Sequence, residues 1–458
     1  MNIFSMFNTG KQGLWTSQYE MNIVDQNLSN SGTDGYSREI VSKEATVPYP
    51  GITVSRVYRK IDPILEKRIN QVTQNLGYYT TKSQYFSYIE AIVNELNDGN
   101  LTERLADFFN AWSDLANEAA TVPGDLTTPS PVRNALIQKA QDLVDAIRDR
   151  YLNIQNLKKD TKNDVVYTIS QINKLLQDIA NYNRAIAETD RPEKEAAVLK
   201  DKRQKALKDL AQLLDITYVE QPDKTVTVYG PSGSLLVTSD TVWPVVMNQD
   251  KEGNIHVFWY TGEEYVEIHP NKGKLGALLE VHNQKIAEYA TYLDNFASTI
   301  IEVVNNIHSQ GWSLEDTTGI NFFSGTGAGD IAVNEQIVQD PSKIATSSVP
   351  DTTANNDIAL EIYELSTRKL FASNSMTPAE YIAAFTAQIG VDTKNATDNK
   401  NVTDALLTAL KEKRSSISEV NKDEELAKLM ELEKQFQAAS KIITIADELL
   451  STVINLVR

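Results

Sequence analysis

Four histidines are the first candidates for catalysis or metal binding in this sequence: His256, His269, His282 and His308. None has the two-histidine helical spacing of a zinc protease, and the chain contains no cysteine whose thiolate could complete a zinc site. We interpret all four as structural or solvent-facing side chains. The sequence therefore predicts neither a metal nor a cofactor.

Two loops bear a partial likeness to ligand-binding loops. In the glycine-rich stretch 325–330, Asp330 stands where a dinucleotide-binding fingerprint has its last glycine, and no lysine follows as it would in a phosphate-binding loop. The acidic stretch 315–319 begins like a calcium loop but lacks the closing glutamate that binds the ion with both oxygens. We interpret both stretches as turns.

The carboxylates are numerous but form no recognisable pair. They are spread along predicted helices among lysines and arginines, as on solvated helix faces. The two carboxylates of a glycoside hydrolase need not be close in sequence, so an exported hydrolase remains an alternative. The favoured interpretation is a protein that is not an enzyme and whose function lies in an assembly surface.

The composition argues against nucleic acid and membranes as partners. The 458 residues carry a formal net charge of −18, whereas nucleic acids and anionic membranes attract a basic face. No run of about 20 apolar residues predicts a membrane span, and the N-terminus lacks the basic and apolar regions of a cleaved signal peptide. These rules alone predict a cytosolic protein, although export without a cleaved signal would escape them.

The strongest pattern is an apolar stripe that follows Asn421 and runs to the end of the chain. Its steps alternate between three and four residues, as in a helix that pairs lengthwise with other helices. The stripe consists of Leu429, Leu432, Phe436, Ala439, Ile443, Ala446, Leu450, Val453 and Val457. Asn421 and Glu424 predict a capping box at the start of this helix. At 1.5 Å per residue the stripe is roughly 42 Å long.

A second stripe with the same rhythm occupies the first 28 residues. It consists of Ile3, Phe7, Gly10, Leu14, Ser17, Met21, Val24 and Leu28. Its small residues would let a partner helix approach closely, but Gly10 and Gly13 each cost about 1 kcal/mol relative to alanine inside a helix. We predict that the two stripes form a terminal helix pair and the assembly interface, and that both ends become ordered only when neighbouring molecules cover them. An ordinary intramolecular bundle is the alternative.

Between the two ends the sequence predicts long helices interrupted by a small β region. Asp62 and Pro63 open a helix that reaches Asn97–Gly99. Further helices are predicted at 102–120, 131–191 (one or two helices), 192–214, 275–308, 358–371, 378–389 and 403–416. Strands are predicted at 52–58, 225–229, 235–238, 255–260 and 265–268, and residues 311–350 are predicted to form an ordered loop or short extended pieces.

The predicted fold is mainly α with a small β insertion. It combines a long antiparallel helix bundle or coiled-coil core, formed with both termini, and a compact antiparallel β subdomain. We divide the chain into an N-terminal helix with an extended segment (1–60), the first part of the helix bundle (61–215), the β domain (216–270), helices and an ordered loop that return to the bundle (271–420), and the C-terminal helix (421–458).

Short motifs along the whole chain resemble axial proteins of the bacterial flagellum. The N-terminal signature shared by flagellar rod, hook and hook-associated proteins is matched by Asn27, Leu28, Asn30, Gly35, Tyr36 and Arg38. The end of the FlgK family of hook-associated proteins is similar to residues 416–425, 446–450 and 453–458. The middle of that family is similar to residues 199–204, 213–216, 311–312, 322–323 and 331–333. Another axial protein, from the hook or rod, is the alternative, and the order of the middle stretches argues against it.

The resemblance implies a structural adaptor that joins the flagellar hook to the filament through lateral packing of its terminal helices. The implied partners are hook protein, hook-associated protein 3, other copies of the chain in the junction lattice, and a cytoplasmic export chaperone on the C-terminal helix. The resemblance also implies type III export of the unfolded chain. The expected location is therefore extracellular, in the flagellum at the hook–filament junction.

Overall fold

The computed structural model describes residues 3–33, 35–45, 51–93, 100–121, 130–189, 196–351 and 355–457. It is 67% helical, and the predicted mainly α fold with a small β part is confirmed. The helices are α1 (Ile3–Ser29), α2 (Pro63–Val93), α3 (Leu101–Thr121), α4 (Pro131–Thr189), α5 (Ala197–Leu213), α6 (Gly273–Glu280), α7 (Ile286–His308), α8 (Glu335–Gln339), α9 (Asp357–Glu364), α10 (Pro378–Ser418) and α11 (Lys422–Val457).

The strands of the described residues form four small antiparallel sheets. They are β1 (Glu39–Ala45), β2 (Ile52–Arg59), β3 (Thr217–Glu220), β4 (Val226–Tyr229), β5 (Leu235–Thr238), β6 (Thr241–Val242), β7 (Val245–Gln249), β8 (Ile255–Tyr260), β9 (Tyr265–Ile268), β10 (Phe323–Ser324) and β11 (Ala332–Val333). β1 pairs with β2 and β10 with β11, while the predicted β region contains one sheet ordered β3-β4-β5-β6 and another ordered β7-β8-β9.

Helix α4 is a single unbroken helix of 59 residues and runs through the core of the molecule. No glycine or proline follows Pro131 within it, and an apolar stripe that includes Leu143, Ile154 and Ile172 is fully buried along its length. At 1.5 Å per residue the helix is roughly 88 Å long. The sequence left open whether this stretch forms one helix or two, and the structure has one.

Helices α2 and α10 lie side by side in opposite directions. Glu66 near the start of α2 pairs with Arg414 near the end of α10, at 2.5 Å between Oε1 and Nε. Further along, the hydroxyl oxygens of Ser83 and Thr397 lie 3.0 Å apart. The predicted division of α10 into 378–389 and 403–416 is wrong, because the helix is continuous from Pro378 to Ser418. Packing against α2 overrides the weak helix propensity of its glycine- and asparagine-containing centre.

Two other predicted helices also differ from the structure. The helix predicted at 358–371 ends at Glu364. The one predicted at 275–308 contains a π-helical turn, Val281–Lys285, between α6 and α7. In that turn the Asn283 side chain accepts a hydrogen bond from the Ile255 amide and donates one to the Ile255 carbonyl, both at 2.8 Å, and thereby holds β8.

Several helix ends were predicted correctly, and others lie outside the described residues. Asp62 caps α2 by accepting hydrogen bonds from the amides of Ile64 and Leu65 at 2.9 and 3.1 Å. The predicted end at Asn97–Gly99 and the predicted start at Pro192 lie outside the described residues. The segment boundaries at 60, 215, 270 and 420 each fall in a connection between elements. The division into five segments stays a proposal.

The part of the molecule from α2 to α10, which we call the body, has a core rich in aromatic side chains. Phe108 and Trp112 of α3 are fully buried; Phe108 packs on Phe322 and Phe323, and Trp112 packs on Phe322, at ring-centroid distances of 5.1–6.0 Å. The His308 ring at the end of α7 packs on Trp112 as well, at 6.0 Å. This core anchors the helices from which the two chain ends extend.

Candidate functional site

The two ends of the chain form one antiparallel helix pair, α1 with α11, which we call the terminal pair. Gly10 near the start of α1 faces Ala439 and Ile443, whereas Asn27 near its end contacts Glu425 at the start of α11. A Cβ atom on Gly10 would lie 2.7 Å from Ile443 Cγ1 and 3.3 Å from the Ala439 carbonyl oxygen. The small residues predicted to allow close approach therefore lie at the contact.

The predicted stripes form the contact between these two helices. The buried members are Gly10, Ser17, Val24, Leu432, Ala439 and Ala446. The half-buried members are Ile3, Leu14, Met21, Leu28, Leu429, Phe436, Ile443 and Leu450. Phe7 and Val453 are exposed, and the Val457 side chain lies outside the described residues. In the structure each helix covers much of the stripe of the other, and the expectation that both ends become ordered only with neighbours stays a prediction.

A second set of large apolar side chains on the terminal pair is exposed to solvent. It consists of Phe4, Phe7, Trp15, Leu426, Met430, Ile445, Leu449, Val453, Ile454 and Leu456, and we call it the outward face. Trp15 is 73% exposed and Leu456 is 80% exposed. Apart from Phe7 and Val453, our sequence reasoning missed these residues. The four-residue spacing of Ile445, Leu449 and Val453 was the signal that could have found part of the set.

Signature residue Asn27 ties the end of α1 to both β1 and α11. Its buried side-chain oxygen accepts hydrogen bonds from the Tyr36 hydroxyl and the Glu39 amide, both at 2.9 Å. Its amide nitrogen donates to the Glu39 carbonyl at 3.0 Å and to Glu425 Oε2 at 3.3 Å. Burial is the main influence that raises the pKa of Tyr36, with further contributions from the nearby carboxylates of Glu39, Asp201 and Glu425.

Signature residue Arg38 binds α11 through two glutamates. Its Nε lies 2.6 Å from Glu425 Oε1, and its Nη1 lies 3.0 Å from Glu424 Oε2. The Glu425 side chain is only 2% exposed, whereas that of Glu424 is 60% exposed. Asn421 caps α11 as predicted, by accepting hydrogen bonds from the amides of Asp423 and Glu424. Glu424, the second residue of the predicted capping box, has its carboxylate on Arg38 in the structure. We call Asn27, Arg38 and Glu425 the clasp.

The end of the signature and strand β2 join the terminal pair to the body. The Ser37 amide donates to Asp201 Oδ2 at 3.1 Å, and Arg59 Nη1 lies 2.9 Å from Asp201 Oδ1. Asp201 belongs to α5 of the body. Its burial raises its pKa, against the opposing effects of Arg59 and Ser37. The Arg38 amide also donates to the Ser418 carbonyl at the end of α10, at 2.9 Å.

The remaining signature residues shape the turn between α1 and β1. Leu28 is half-buried, and the Asn30 side chain donates to the Gln26 carbonyl at 2.8 Å. Gly35 has a φ of +85°, a left-handed conformation that favours glycine. Together the signature residues act as a structural joint between the first helix and the rest of the chain.

Two of the four histidines are buried and hydrogen-bonded to the main chain, and the other two lie at the surface. Buried His308 donates from Nδ1 to the Ile320 carbonyl at 2.7 Å and accepts from the Ala345 amide at 3.0 Å, and burial lowers its pKa to about 4. His282 is buried, and its Nε2 lies 3.1 Å from the Gly253 carbonyl oxygen. His256 lies on the surface between Asp250 and Glu267, and His269 is exposed.

The two candidate loops are turns held by their own side chains. Asp330 accepts hydrogen bonds from the amides of Thr326 and Gly327, both at 2.8 Å, so those amides already have an acceptor. In the acidic loop the Ser313 hydroxyl accepts from the amides of Glu315 and Thr317. Among the described residues no group of three or more potential ligands could hold a metal ion, and no helix is long and apolar enough to cross a membrane.

Comparison with known families gives the decisive observation. Residues 86–323, slightly more than half of the chain, match the family described as "Flagellar hook-associated protein FlgK helical domain". The chain belongs to the FlgK family. Residues 412–456, which include nearly all of α11, match the family described as "Flagellar basal body rod FlgEFG protein C-terminal". The FlgK resemblance read from the sequence is therefore confirmed.

Two relatives extend this FlgK assignment beyond the helical domain. Flagellar hook-associated protein 1 of Bacillus subtilis is 23% identical over an alignment that covers 99% of this chain and 98% of that protein. Flagellar hook-associated protein 1 of Salmonella typhimurium is 24% identical, and the alignment covers 70% of this chain and 59% of that protein. The Bacillus alignment thus includes the clasp and both helices of the terminal pair.

A solved FlgK structure shares the fold. The flagellar hook junction protein FlgK from Burkholderia pseudomallei superposes with a TM-score of 0.64 at 13% identity. The match covers 77% of this chain and all of the solved chain. The FlgK-family fold is thus supported by geometry as well as by sequence.

Proposed function

We propose that this FlgK-family chain is a structural subunit at the junction of the flagellar hook and filament, and that it acts by packing rather than by catalysis. The observation that carries the proposal is the outward face of the terminal pair. The contact between α1 and α11 uses one side of each helix, and the outward face leaves further apolar side chains in water. Extended apolar surfaces of this kind mark interaction sites.

Burial of the outward face between copies would favour lateral assembly. Fully burying one large apolar side chain contributes about 1.5–3 kcal/mol. Because every copy carries the same terminal pair, neighbouring copies are the first proposed partners. Hook protein and hook-associated protein 3 are proposed for the two ends of the lattice. The buried and half-buried members of the predicted stripes lie in the contact between α1 and α11, whereas the exposed members Phe7 and Val453 belong to the outward face.

Export and protection of this surface belong to the proposal. The chain is proposed to leave the cell unfolded through the flagellar type III channel and to reside outside the cell in the flagellum. A cytoplasmic chaperone is proposed to cover α11 before export, because the apolar stripe and the outward face of that helix would both be exposed in an unpaired α11. The relatives' names support the flagellar location.

The test places a charge on the outward face without touching the contact inside the pair. Leu449→Asp is expected to abolish motility and to release unpolymerised flagellin into the medium, because the aspartate would have to be buried between subunits. Ser451→Asp is the matched control, since it adds the same charge at an exposed polar position two residues away. Normal motility with exported Leu449→Asp protein contradicts the proposal.

Two alternatives are separated by specific observations. A rod or hook component shares the C-terminal match at 412–456, but the match over 86–323 is to the FlgK helical domain and favours the junction. An exported hydrolase would degrade cell-wall substrates in a purified activity screen. Activity there that a carboxylate substitution removes would favour the hydrolase.

A further inference from the structure

Three asparagine side chains contact the strands of the β domain, and all three do so in the same way. In each case the side-chain nitrogen donates to the carbonyl oxygen of one strand residue, and the side-chain oxygen accepts from the amide of that same residue, at 2.8–2.9 Å. We call these pairs the asparagine brackets. They are Asn173 with Val245, Asn183 with Val226, and Asn283 with Ile255.

Each bracketed residue is buried and is the first residue of its strand, β4, β7 or β8. Among the described residues, β5 pairs with β4 only at Val228 and Tyr229, β9 pairs with β8 only at 257–260, and β7 is the edge strand of its sheet. The asparagine therefore occupies a position that a neighbouring strand would otherwise fill. It satisfies two buried backbone groups, which are costly to leave unpaired.

The orientation of the Asn183 amide is fixed by two further contacts. Its oxygen also accepts from Arg203 Nη1 of α5 at 3.0 Å, and its nitrogen also donates to the Ser239 carbonyl at 2.7 Å. Because a guanidinium can only donate, the group facing Arg203 must be the amide oxygen. A bracket thus needs a donor and an acceptor on one short side chain, which asparagine has and aspartate lacks.

Asn283 lies on the π-helical turn between α6 and α7, and other helices hold this turn at both ends. At its start, Glu280 Oε1 lies 2.6 Å from Lys82 Nζ of α2. At its end, Lys285 Nζ lies 3.1 Å from Asp392 Oδ2 of α10. The π turn is therefore fixed against two long helices, and its bracket transmits that fixed position to β8.

A domain joined to helices only through its two chain connections is expected to move relative to them. We infer that the asparagine brackets fix both sheets of the β domain on α4 and on the π turn, so that the β domain and the helices of the body form one rigid unit. Asn173, Asn183 and Asn283 are thereby positioning residues that set the orientation of the β domain. The inference goes beyond the proposed function and does not rest on it, since no bracket involves the terminal pair.

The experiment measures the distance between two spin labels on the full-length chain, one on α2 and one on the β domain. The chain has no cysteine, so Ala91→Cys and Glu263→Cys, both at exposed positions, supply the two attachment sites. A narrow distribution of distances is expected. Adding Asn173→Asp and Asn283→Asp is expected to widen the distribution at least about twofold, because the aspartates lack the N–H donor and place a charge against carbonyl oxygens.

The matched control adds Asn163→Asp and Asn181→Asp instead, which introduce the same two charges at exposed positions of α4. The control is expected to keep the narrow distribution. Hydrogen exchange in β8 and α4 of every variant is expected to stay protected, which would show that both the sheet and the helix remain folded.

Four results would overturn the inference. The first is a broad distribution in the chain with the two cysteines alone, and the second is an unchanged width in the bracket variant. The third is an equal widening in the control. The fourth is loss of exchange protection in β8 of the bracket variant, which would show that the asparagines fold the sheet rather than position it.

Discussion

The backbone of Gly77 on α2 meets the carbonyl oxygen of Gln212 on α5 so closely that an added Cβ atom would lie 2.1 Å from that oxygen. Neither side of this contact is the end of a flexible side chain. Any larger residue at position 77 must therefore push the two helices apart. This crossing holds α5, which carries Asp201, against the body.

The first prediction concerns this crossing. Gly77→Ala is expected to lower the free energy of unfolding by about 1–3 kcal/mol, because overpacking a fixed helix contact strains the backbone. The control is Gly390→Ala in α10, where no atom lies within 4 Å of the added Cβ and alanine improves helix propensity by up to about 1 kcal/mol. Urea denaturation measures both; equal midpoints for the two variants would contradict the prediction.

The second prediction is that burial of neutral His308 makes the folded chain less stable in acid. The folded-state His308 pKa of about 4 lies below the unfolded value of about 6.5, so the unfolded chain takes up the proton first. The stabilisation is fully present above pH 6.5 and is lost as the pH falls toward 4, up to about 3 kcal/mol. Unfolding midpoints between pH 4 and 7.5 are expected to slope less steeply in His308→Asn. The same slope in the unmodified chain and in His308→Asn would contradict this prediction. Substitution of the exposed His269 by asparagine serves as the control.

The third prediction concerns Asp215, whose effect on stability changes with pH in the direction opposite to that of His308. Burial raises its pKa to about 6, against backbone amides and Lys272, and its Oδ1 is buried without a hydrogen-bond partner. The stability that protonated Asp215 contributes to the folded chain is fully present below the unfolded pKa of about 3.9, and it is lost as the pH rises through 6. Asp215→Asn is expected to stabilise the chain by about 2–3 kcal/mol at pH 7.5 and by little near pH 4.

The same denaturation series checks Asp215→Asn at both pH values. Glu263→Gln is a suitable control, because it removes one carboxylate from an exposed position in the β8–β9 turn. A gain that is the same at pH 4 and pH 7.5 would show that the carboxylate charge is not the cause.

The fourth prediction concerns the contact inside the terminal pair. Ile443→Asp places a charge against Gly10 and is expected to cost about 1–3 kcal/mol and open the pair. Both ends should become protease-sensitive and junction assembly or chaperone capture should fail, while the body keeps its unfolding midpoint. Thr444→Asp, one residue along on an exposed position, is the control. Normal motility of Ile443→Asp would count against the importance of this contact.

Local patterns were sufficient to predict the main helices and several of their ends. The apolar stripes of α4 and α11, and the caps at Asp62 and Asn421, are written in residue types a few positions apart. The prediction failed where packing overrides propensity, as in the unbroken α10. It also missed β3, β6 and β7, because strands of two to five residues carry little periodic signal, and it did not predict the seven-residue strand β1.

The candidate site, too, was predicted from the sequence only in part. The stripe from Leu429 to Val457 and the signature from Asn27 to Arg38 were visible in the sequence, and the first predicted a paired helix. Sequence periodicity states that a helix has an apolar side, but not which helix covers it. The outward face is recognisable only once the contact side of each helix is known.

The sequence by itself determined that the chain is mainly helical, that both ends carry apolar helices, and that it resembles the FlgK family, because these properties depend on neighbouring residues and short motifs. Only the tertiary structure decided that Gly10 of α1 packs on Ile443 of α11 and that Arg38 meets the buried carboxylate of Glu425. Those contacts join residues at opposite ends of the chain, and their formation depends on how the whole body between them folds.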